Sequence, residues 1–571
     1  MTGIGAGGPS FAELREQDGC YVDKTLPIKD LLDADDCGVY LFTRPRGFGK
    51  TTNLSMLDAF FNREYEGKTW FDGLEISKHR KYDGYRHAFP VIHLDLGNTG
   101  AGSYDSFLGK MREAVRDAFE PHRRLLEWPD LREPARRIFR HLDEGDTGRE
   151  DIVESINLLS SSLNSYHGKK PVILIDEYDR AISDPFGESL REPASIFLRE
   201  LLYESTKGND NRELVFITGT MQTAQESILS DLNNLRVNNI FSTMSDERFG
   251  FTENETRSIL EHYGGEGRFD EARQWYGGYV FGNAEVCNPR SIMRYASNGF
   301  VPAPYWENDE SEIISMKLFE SLNNDNLSDV IGLLTGGCIE KELSRHYTYG
   351  AATAGNKALY SLMAMAGYLR AVPMKDERDR TSIFPWNGDL FRISIPNEEV
   401  RRVVDSVVES VIPIDAGYFS GFVQAVLRGD AESMEKRFGD ILARGNGLSL
   451  RKNAYEIIMV MLMHSLLGRY RIEAEHKSGF GRTDIVLRPK DETHSPIVFE
   501  LKTSKKAEDL TMDAEDAIKQ IHDMQYYRGM PGDVRIYGIS FFSNTLKVLT
   551  ETVRNDPRGM PVVMNGRNPF R

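Results

Sequence analysis

The chain has little cysteine, no long apolar run and no internal repeat. Four cysteines, Cys20, Cys37, Cys287 and Cys338, are spread over 571 residues. None shows the paired spacing of a zinc site or a dithiol, so free thiols in a reducing compartment are expected. No stretch approaches the roughly 20 apolar residues that a membrane-spanning helix requires, which argues against a membrane partner. The opening residues, Met1 to Pro9, lack the basic and apolar regions of a secretion signal, and a cytoplasmic location is the expectation. Low-complexity tracts are missing too, and 40% apolar with 27% charged residues is the balance of an ordinary globular protein. The length exceeds what one core can organise, and a prior of about 150 residues per domain suggests three or four compact units.

A net charge of -17 excludes a uniformly basic surface of the kind that coats non-specific nucleic-acid binders. The charge is unevenly placed. Residues 451–571 carry 19 Lys+Arg against 16 Asp+Glu, whereas residues 1–450 carry 51 against 71. The acidic excess therefore lies outside the C-terminal segment, which leaves that segment free to meet a polyanion.

Between about residues 20 and 220, apolar runs alternate with helical periodicity. Val39 to Thr43, Pro90 to Leu96, Pro171 to Ile175 and Leu214 to Thr218 read as strands, which predicts a mostly parallel α/β sheet. Residues from about 250 to 450 are mostly helical in pattern, with turn-rich interruptions at Tyr276–Tyr279 and Thr348–Gly355. After Asn446-Gly447 the pattern predicts a helix over Arg451 to Leu467, then strands at Tyr470–Glu475, Asp484–Arg488 and Pro496–Lys502. A helix from Thr511 to Tyr527 and a strand at Val534–Phe542 complete a compact α/β domain.

The first chemical signal follows the Val39–Thr43 strand. A phosphate loop needs small residues so that backbone N–H groups face the phosphates, a Lys to reach them, and a hydroxyl for Mg²⁺. Gly47, Gly49, Lys50 and Thr51, with Thr52 beside them, supply these in Arg44-Pro-Arg-Gly-Phe-Gly-Lys-Thr51. The first glycine of G-x-x-x-x-G-K-[ST] is absent, Arg44 standing in its place. The run Val172-Ile-Leu-Ile-Asp-Glu177 has the form of a Walker B element, in which Asp176 holds Mg²⁺ and Glu177 polarises the attacking water. Thr218, at the end of the next strand, occupies the place of a γ-phosphate sensor. Arg123, Arg124, Arg132, Arg136, Arg137 and Arg140 read chiefly as a solvated helix face interleaved with acids.

The second signal is Gly481-Arg-Thr-Asp484 followed by Phe499-Glu-Leu-Lys502. Metal-dependent phosphodiester hydrolysis needs carboxylates converging on divalent ions and a cation to position water or stabilise charge. Residues two apart on a strand share a face, so Glu500 and Lys502 stand side by side. Asp484, read as opening the preceding strand, meets them across the hairpin, in the D…E-x-K arrangement of PD-(D/E)XK nucleases. Glu456 and Gln520, on the flanking helices, point toward the same cleft in this reading.

Longer strings carry a resemblance. Tyr21-Val-Asp-Lys-Thr25, Leu41 to Thr51, Ile175-Asp-Glu-Tyr-Asp179, Asn233-Asn-Leu235 and Phe249-Gly-Phe-Thr252 recur in order, as do Trp275-Tyr-Gly-Gly-Tyr279, Asn288-Pro-Arg-Ser291 and Ile395–Val400. With the two site motifs, they resemble the AAA-ATPase-like family that carries a C-terminal PD-(D/E)XK nuclease domain, across nearly the full chain. The resemblance implies a P-loop, AAA-related ATPase domain over 1–250, a helical, winged-helix-like middle over 251–445 and a restriction-endonuclease-like α/β domain over 446–571. ATP and Mg²⁺, with Mn²⁺ as an alternative at the nuclease site, are the implied cofactors, and DNA or RNA the implied partner. Defence against foreign nucleic acid, or service to a mobile element, follows by analogy only. Two rivals stay open: a nucleotide-gated nucleic-acid or protein binder with an inactive nuclease fold, and an ATPase whose C-terminal domain serves homo-oligomerisation.

Overall fold

The computed structural model describes residues 10–17, 20–34, 38–183, 188–221, 235–306, 329, 332–333, 336–344, 356–374, 390–411, 416–444, 455, 458–460, 462–463, 466, 469–478, 481–491, 493–530 and 532–556. The chain divides into two compact units, Met1–Ile314 with Glu340–Val400, and Ser315–Ile339 with Arg401–Arg571. The stretch 251–445 is thus shared between them.

The first unit is built on β1 (Val39–Thr43), β2 (Val91–Asp95), β3 (Val172–Asp176), β4 (Leu214–Gly219) and β5 (Leu235–Asn238). These form one sheet in the order β2-β3-β4-β1-β5, with every neighbouring pair parallel. Parallel neighbours require crossovers, and the helices α1 (Lys50–Phe61), α2 (Tyr104–Phe119), α3 (Glu133–Glu144), α4 (Arg149–His167) and α5 (Glu188–Ser205) lie along the chain between the strands. With both sheet faces covered, β1, β3 and β4 are buried at every position, which is why they read as continuous apolar runs. The strand β5 was not expected; Leu-Arg-Val-Asn is short and half exposed at the sheet edge.

Further along this unit come α6 (Glu253–His262), α7 (Phe269–Tyr276), the hairpin of β6 (Tyr279–Phe281) and β7 (Ala284–Val286), and α8 (Pro289–Ser297). Thr252 and Glu255 form a reciprocal capping box at the start of α6. Asn288 caps α8 by accepting from Arg290 N at 3.0 Å and Ser291 N at 3.4 Å, and Pro289 opens the helix. A small sheet in the order β8-β10-β9 follows, from β8 (Ile339–Glu342), β9 (Arg370–Pro373) and β10 (Leu390–Ser394), with α9 (Asn356–Ala366) between β8 and β9. Next comes α10 (Glu398–Val411). The helical middle therefore contains two pieces of sheet, and Thr348–Gly355 lies outside the described residues.

The second unit contains α11 (Ala416–Arg428) and α12 (Ala431–Arg444), then β11 (Tyr470–Ser478), β12 (Gly481–Pro489), β13 (Ile497–Thr503), α13 (Leu510–Asp523), β14 (Gly532–Phe542) and β15 (Thr545–Asn555). The five strands pair in chain order; only β13 and β14 are parallel, because α13 carries the chain across between them. Alternation assigns the faces: Val486, Val498 and Ile536 pack with Ile518 and Ile521 of α13. Ile485, Leu487, Phe499, Tyr537, Ile539 and Phe541 pack with α11, α12, Tyr455, Met459 and Leu466 on the other side. The last strand, β15, was not expected, and most of the helix read over Arg451–Leu467 lies outside the described residues. No described helix is long and apolar enough to cross a membrane.

Phe541 is fully buried, its ring stacked on Tyr455 with centroids 4.2 Å apart. Phe541→Ala should cost about 3–5 kcal/mol of stability. Denaturant unfolding and hydrogen exchange over residues 532–555 measure it. A loss below about 1 kcal/mol would show that this face does not close as described.

Candidate functional site

Parallel register carries the C-terminal ends of β1, β4 and β3 to one edge: Phe42 pairs with Thr218, Thr43 with Gly219, and Asp176 with Asp95 of β2. That edge is where open α/β sheets place ligands. The loop after β1 turns through Gly47 (φ 80°) and Gly49 (φ 78°), both in the left-handed region that glycine enters freely. Gly49 caps α1, whose first two residues are Lys50 and Thr51. Lys50 is buried, its ammonium donating to Arg44 O at 2.9 Å and Pro45 O at 3.2 Å. Burial lowers its pKa, while Glu177, Asp179 and Asp176 oppose that shift. Thr51 is exposed and Thr52 half-buried.

Asp176 is buried and accepts a bond from the Thr218 hydroxyl. Glu177 N–H lies 3.0 Å from Asp176 Oδ1 and 3.3 Å from Thr218 Oγ1. These bonds hold Glu177 at φ 49°, a strained conformation for a residue with a side chain. The Thr51 hydroxyl and the Asp176 carboxylate are hard oxygen donors of the kind Mg²⁺ takes, so the residues suit that ion.

The missing first glycine has a structural explanation. Arg44 N donates to Gly219 O at 3.1 Å, so Arg44 prolongs the β1–β4 ladder and the turn begins after it. Its fully buried guanidinium donates to Thr43 O at 2.8 Å and Asn238 Oδ1 at 2.7 Å, and lies over the rings of Phe249 and Phe281. Burial pushes its pKa down to about 9. Arg44 thereby fastens the end of β5 beneath the loop.

In the second unit, Val498, Glu500 and Lys502 share the face of β13 that looks onto α13. Glu500 is buried; Gln520 Nε2 donates to its Oε1 at 2.6 Å, and Lys502 Nζ stands 3.6 Å from the same oxygen. The Lys502 ammonium also donates to Gln520 Oε1. Asp484 Oδ2 accepts from Leu501 N at 2.6 Å, which brings it to the segment between Glu500 and Lys502. Contrary to expectation, Asp484 does not open its strand but lies within β12, whose first residue is Gly481, because pairing with β11 extends to Ser478↔Gly481. Gly538, opposite Glu500, lets the α13 backbone at Ala514 approach the sheet closely enough for Gln520 to reach over. Glu456 lies outside the described residues. Among those described, no three His, Cys, Asp or Glu side chains gather as a metal cluster. Mg²⁺ commonly takes one or two protein carboxylates and keeps its waters, so the pair Asp484 and Glu500 suits it.

Residues 5–229 match the family described as a predicted AAA-ATPase, and residues 451–551 match the PD-(D/E)XK nuclease superfamily. The chain joins an AAA-ATPase-like domain to a PD-(D/E)XK nuclease superfamily domain. An uncharacterized protein in the vnfD 5′ region of Azotobacter chroococcum mcd 1 is 24% identical over 566 residues, covering 95% of this chain and 96% of the relative. Among solved structures, the Walker-type ATPase PABY2304 of Pyrococcus abyssi aligns at 12% identity over 67% of this chain and 94% of its own, with a TM-score of 0.33. The ORC2 protein of Aeropyrum pernix, in ADPNP–ADP complexes, aligns at 11% identity over 70% and 98%, with a TM-score of 0.30.

The AAA-ATPase-like domain holds residues that sequence reasoning passed over. Asp95 ends β2, and a Cβ placed on Gly97 would stand 3.1 Å from Asp95 Oδ1 and 3.2 Å from Glu177 Oε2, so two acids border that glycine. Asp179 stands two residues beyond Glu177. Its buried carboxylate accepts from Thr220 N at 3.0 Å and Met221 N at 2.9 Å, tying the exit of β4 to the exit of β3. In the nuclease superfamily domain, the buried Tyr526 hydroxyl is 3.2 Å from Gln520 Nε2. The arginine cluster, in contrast, is largely neutralised as a surface face: Arg123 pairs with Asp143 at 2.8 Å, Arg137 with Asp151 at 2.8 Å, and Arg124 with Glu64.

Burial raises the Asp179 carboxyl to about 6 from its usual 3.8, against the Met221 N–H and the Lys50 charge. The folded state thus binds this proton more tightly than the unfolded one. The associated stability is fully present below pH 3.8 and is lost as pH rises through about 6. Asp179→Asn, which cannot ionise, should therefore gain on the order of 1 kcal/mol relative to the parent as pH rises from 5 to 8. Denaturant unfolding at both pH values measures it, and a difference independent of pH would contradict the assignment.

Proposed function

We propose that the chain is an ATP-hydrolysing switch that controls a metal-dependent nuclease acting on DNA or RNA. The observation that supports it most directly is the convergence of Lys50, Thr51, Asp176, Glu177 and Thr218 at one edge of a parallel sheet. In this reading the Lys50 ammonium leaves the Arg44 and Pro45 carbonyls to reach the β and γ phosphates. Thr51 and Asp176 hold Mg²⁺, which offsets phosphate charge, and Glu177 orients the attacking water. Thr218 keeps the Asp176 carboxylate in place and senses the γ-phosphate. The chain's work is in the cytoplasm, and defence or mobile-element biology is its setting by analogy.

For the second site, Asp484 and Glu500 hold Mg²⁺ or Mn²⁺, which supplies Lewis acidity at the scissile phosphate. Lys502, held by Gln520, positions the water or stabilises the developing charge, and Glu456 is assigned a supporting role.

Lys50→Ala should lose ATP binding, and Glu177→Gln should bind ATP but turn it over about 100-fold more slowly or worse. Calorimetry and phosphate release distinguish the two, and unchanged ATP affinity in the Lys50 variant would remove this site. Asp484→Ala and Lys502→Ala should each abolish cleavage of DNA or RNA with Mn²⁺ while leaving ATP turnover nearly intact. Binding without cleavage by the parent chain would favour a gated binder, and cleavage that survives the double Asp484/Glu500 alanine variant would place the activity elsewhere.

A further inference from the structure

Trp275–Tyr279, Asn288–Ser291 and Ile395–Val400 are among the strings used by neither site. The fold brings them to one buried node. Gly278 (φ 81°) has no room for a side chain because the Pro396 carbonyl lies against it, and Asn397 Nδ2 donates to Gly277 O at 2.7 Å. Glu399, in the first turn of α10, is fully buried, and the Ser291 hydroxyl lies 2.9 Å from each of its carboxylate oxygens. Backbone N–H groups of Tyr305 and Trp306 bond to the same carboxylate.

Both arms of this node end on the phosphate loop. From α8, Arg290 N donates to Gly47 O at 3.2 Å, and Asn288 Nδ2 reaches Arg46 O at 3.4 Å. From the other arm, Trp306 Nε1 donates to Arg46 O at 3.1 Å. A Cβ on Gly47 would stand 2.7 Å from Asn288 Oδ1, so loop and helix are in close contact. Glu399 is therefore the shared acceptor behind two supports of the Arg46–Gly47 turn. Burial raises its carboxyl to about 8, with Arg290 opposing.

We propose that Glu399 is a positioning residue for the nucleotide site, holding Ser291 and Trp306 so that the Arg46–Gly47 turn keeps its shape, and passing a change of that turn on phosphate binding into α10. The proposal rests on the ATP reading above. Because the Arg46 carbonyl accepts from the Trp306 indole, tryptophan emission reports on the joint, and Trp306→Phe identifies the part of the signal that belongs to it.

The test uses the full chain. The parent should change emission on adding Mg-ATP, and Trp306→Phe should remove most of that change. Glu399→Ala should lower ATP affinity at least tenfold by calorimetry and abolish the emission change, and Glu399→Gln, which keeps one acceptor, should restore part of both. Ser291→Ala removes a single hydroxyl and should act in the same direction if Glu399→Ala fails to fold. A lower melting temperature, with ATP affinity and emission response of the folded protein unchanged in Ser291→Ala and Glu399→Gln, would mean a structural role only and overturn the proposal. Failure of the parent chain to bind ATP would overturn the ATP reading itself, and this proposal with it.

Discussion

The hydrogen-bonded parallel register of β3, β4 and β1 is the constraint on which the first unit depends. Because the strands run the same way and in step, the residues that leave their C-terminal ends must meet. Carboxylate, hydroxyl and ammonium are thereby gathered from positions 42 or more residues apart. The register in turn rests on burial of both sheet faces, since parallel strands with one wet face are rarely stable. Arg44 extends this logic by one residue: it keeps the ladder going to Gly219 O and ties in the end of β5 before the chain turns.

Electrostatics then divides the labour at the sheet edge. Asp176, Glu177 and Asp179 crowd near one buried ammonium, and the structure separates them by what each accepts. Asp176 takes the Thr218 hydroxyl and Asp179 takes two backbone N–H groups, so both are committed to structure as well as charge. Glu177 is held instead by its own backbone, in a strained conformation that directs its side chain toward Gly97. The second unit solves a similar problem with a different device. Its Lys502 and Glu500 share Gln520 as an intermediary, and that bridge exists only because Gly538 lets α13 settle on the sheet.

The legible parts of the fold are those whose pattern follows from local burial. Val39–Thr43 was bounded correctly from sequence and Val172–Asp176 to within a residue, because strands covered on both faces are apolar almost throughout; the edge strand Val91–Asp95, with exposed His93 and Asp95, was also placed to within a residue. Leu235–Asn238 and Thr545–Asn555 were not legible. The first is four residues with a charge at the second position, and the second carries Lys547, Glu551 and Arg554 on a partly exposed edge, so neither shows a clear period. The pairing of Asp484 with the Glu500–Lys502 segment was readable in outline, because side-chain alternation is a local property. Its place inside β12 was not, since that depends on how far the β11 partner extends.

By itself, the sequence determined the residue types that can contact phosphate and metal, the glycine positions that let a loop turn, and the order of apolar strands. These are properties of short stretches of chain and survive any arrangement of the rest. Only the tertiary structure decided which groups stand together: Thr218 on Asp176, Asp179 on the exit of β4, Gln520 between Glu500 and Lys502, and Glu399 behind the Arg46–Gly47 turn. The hydrogen bonds that join them span 18 to 260 residues of chain. Side chains so far apart meet because strands pair and helices cross at angles and distances set by the packing of the whole core, and no periodicity along the chain records that.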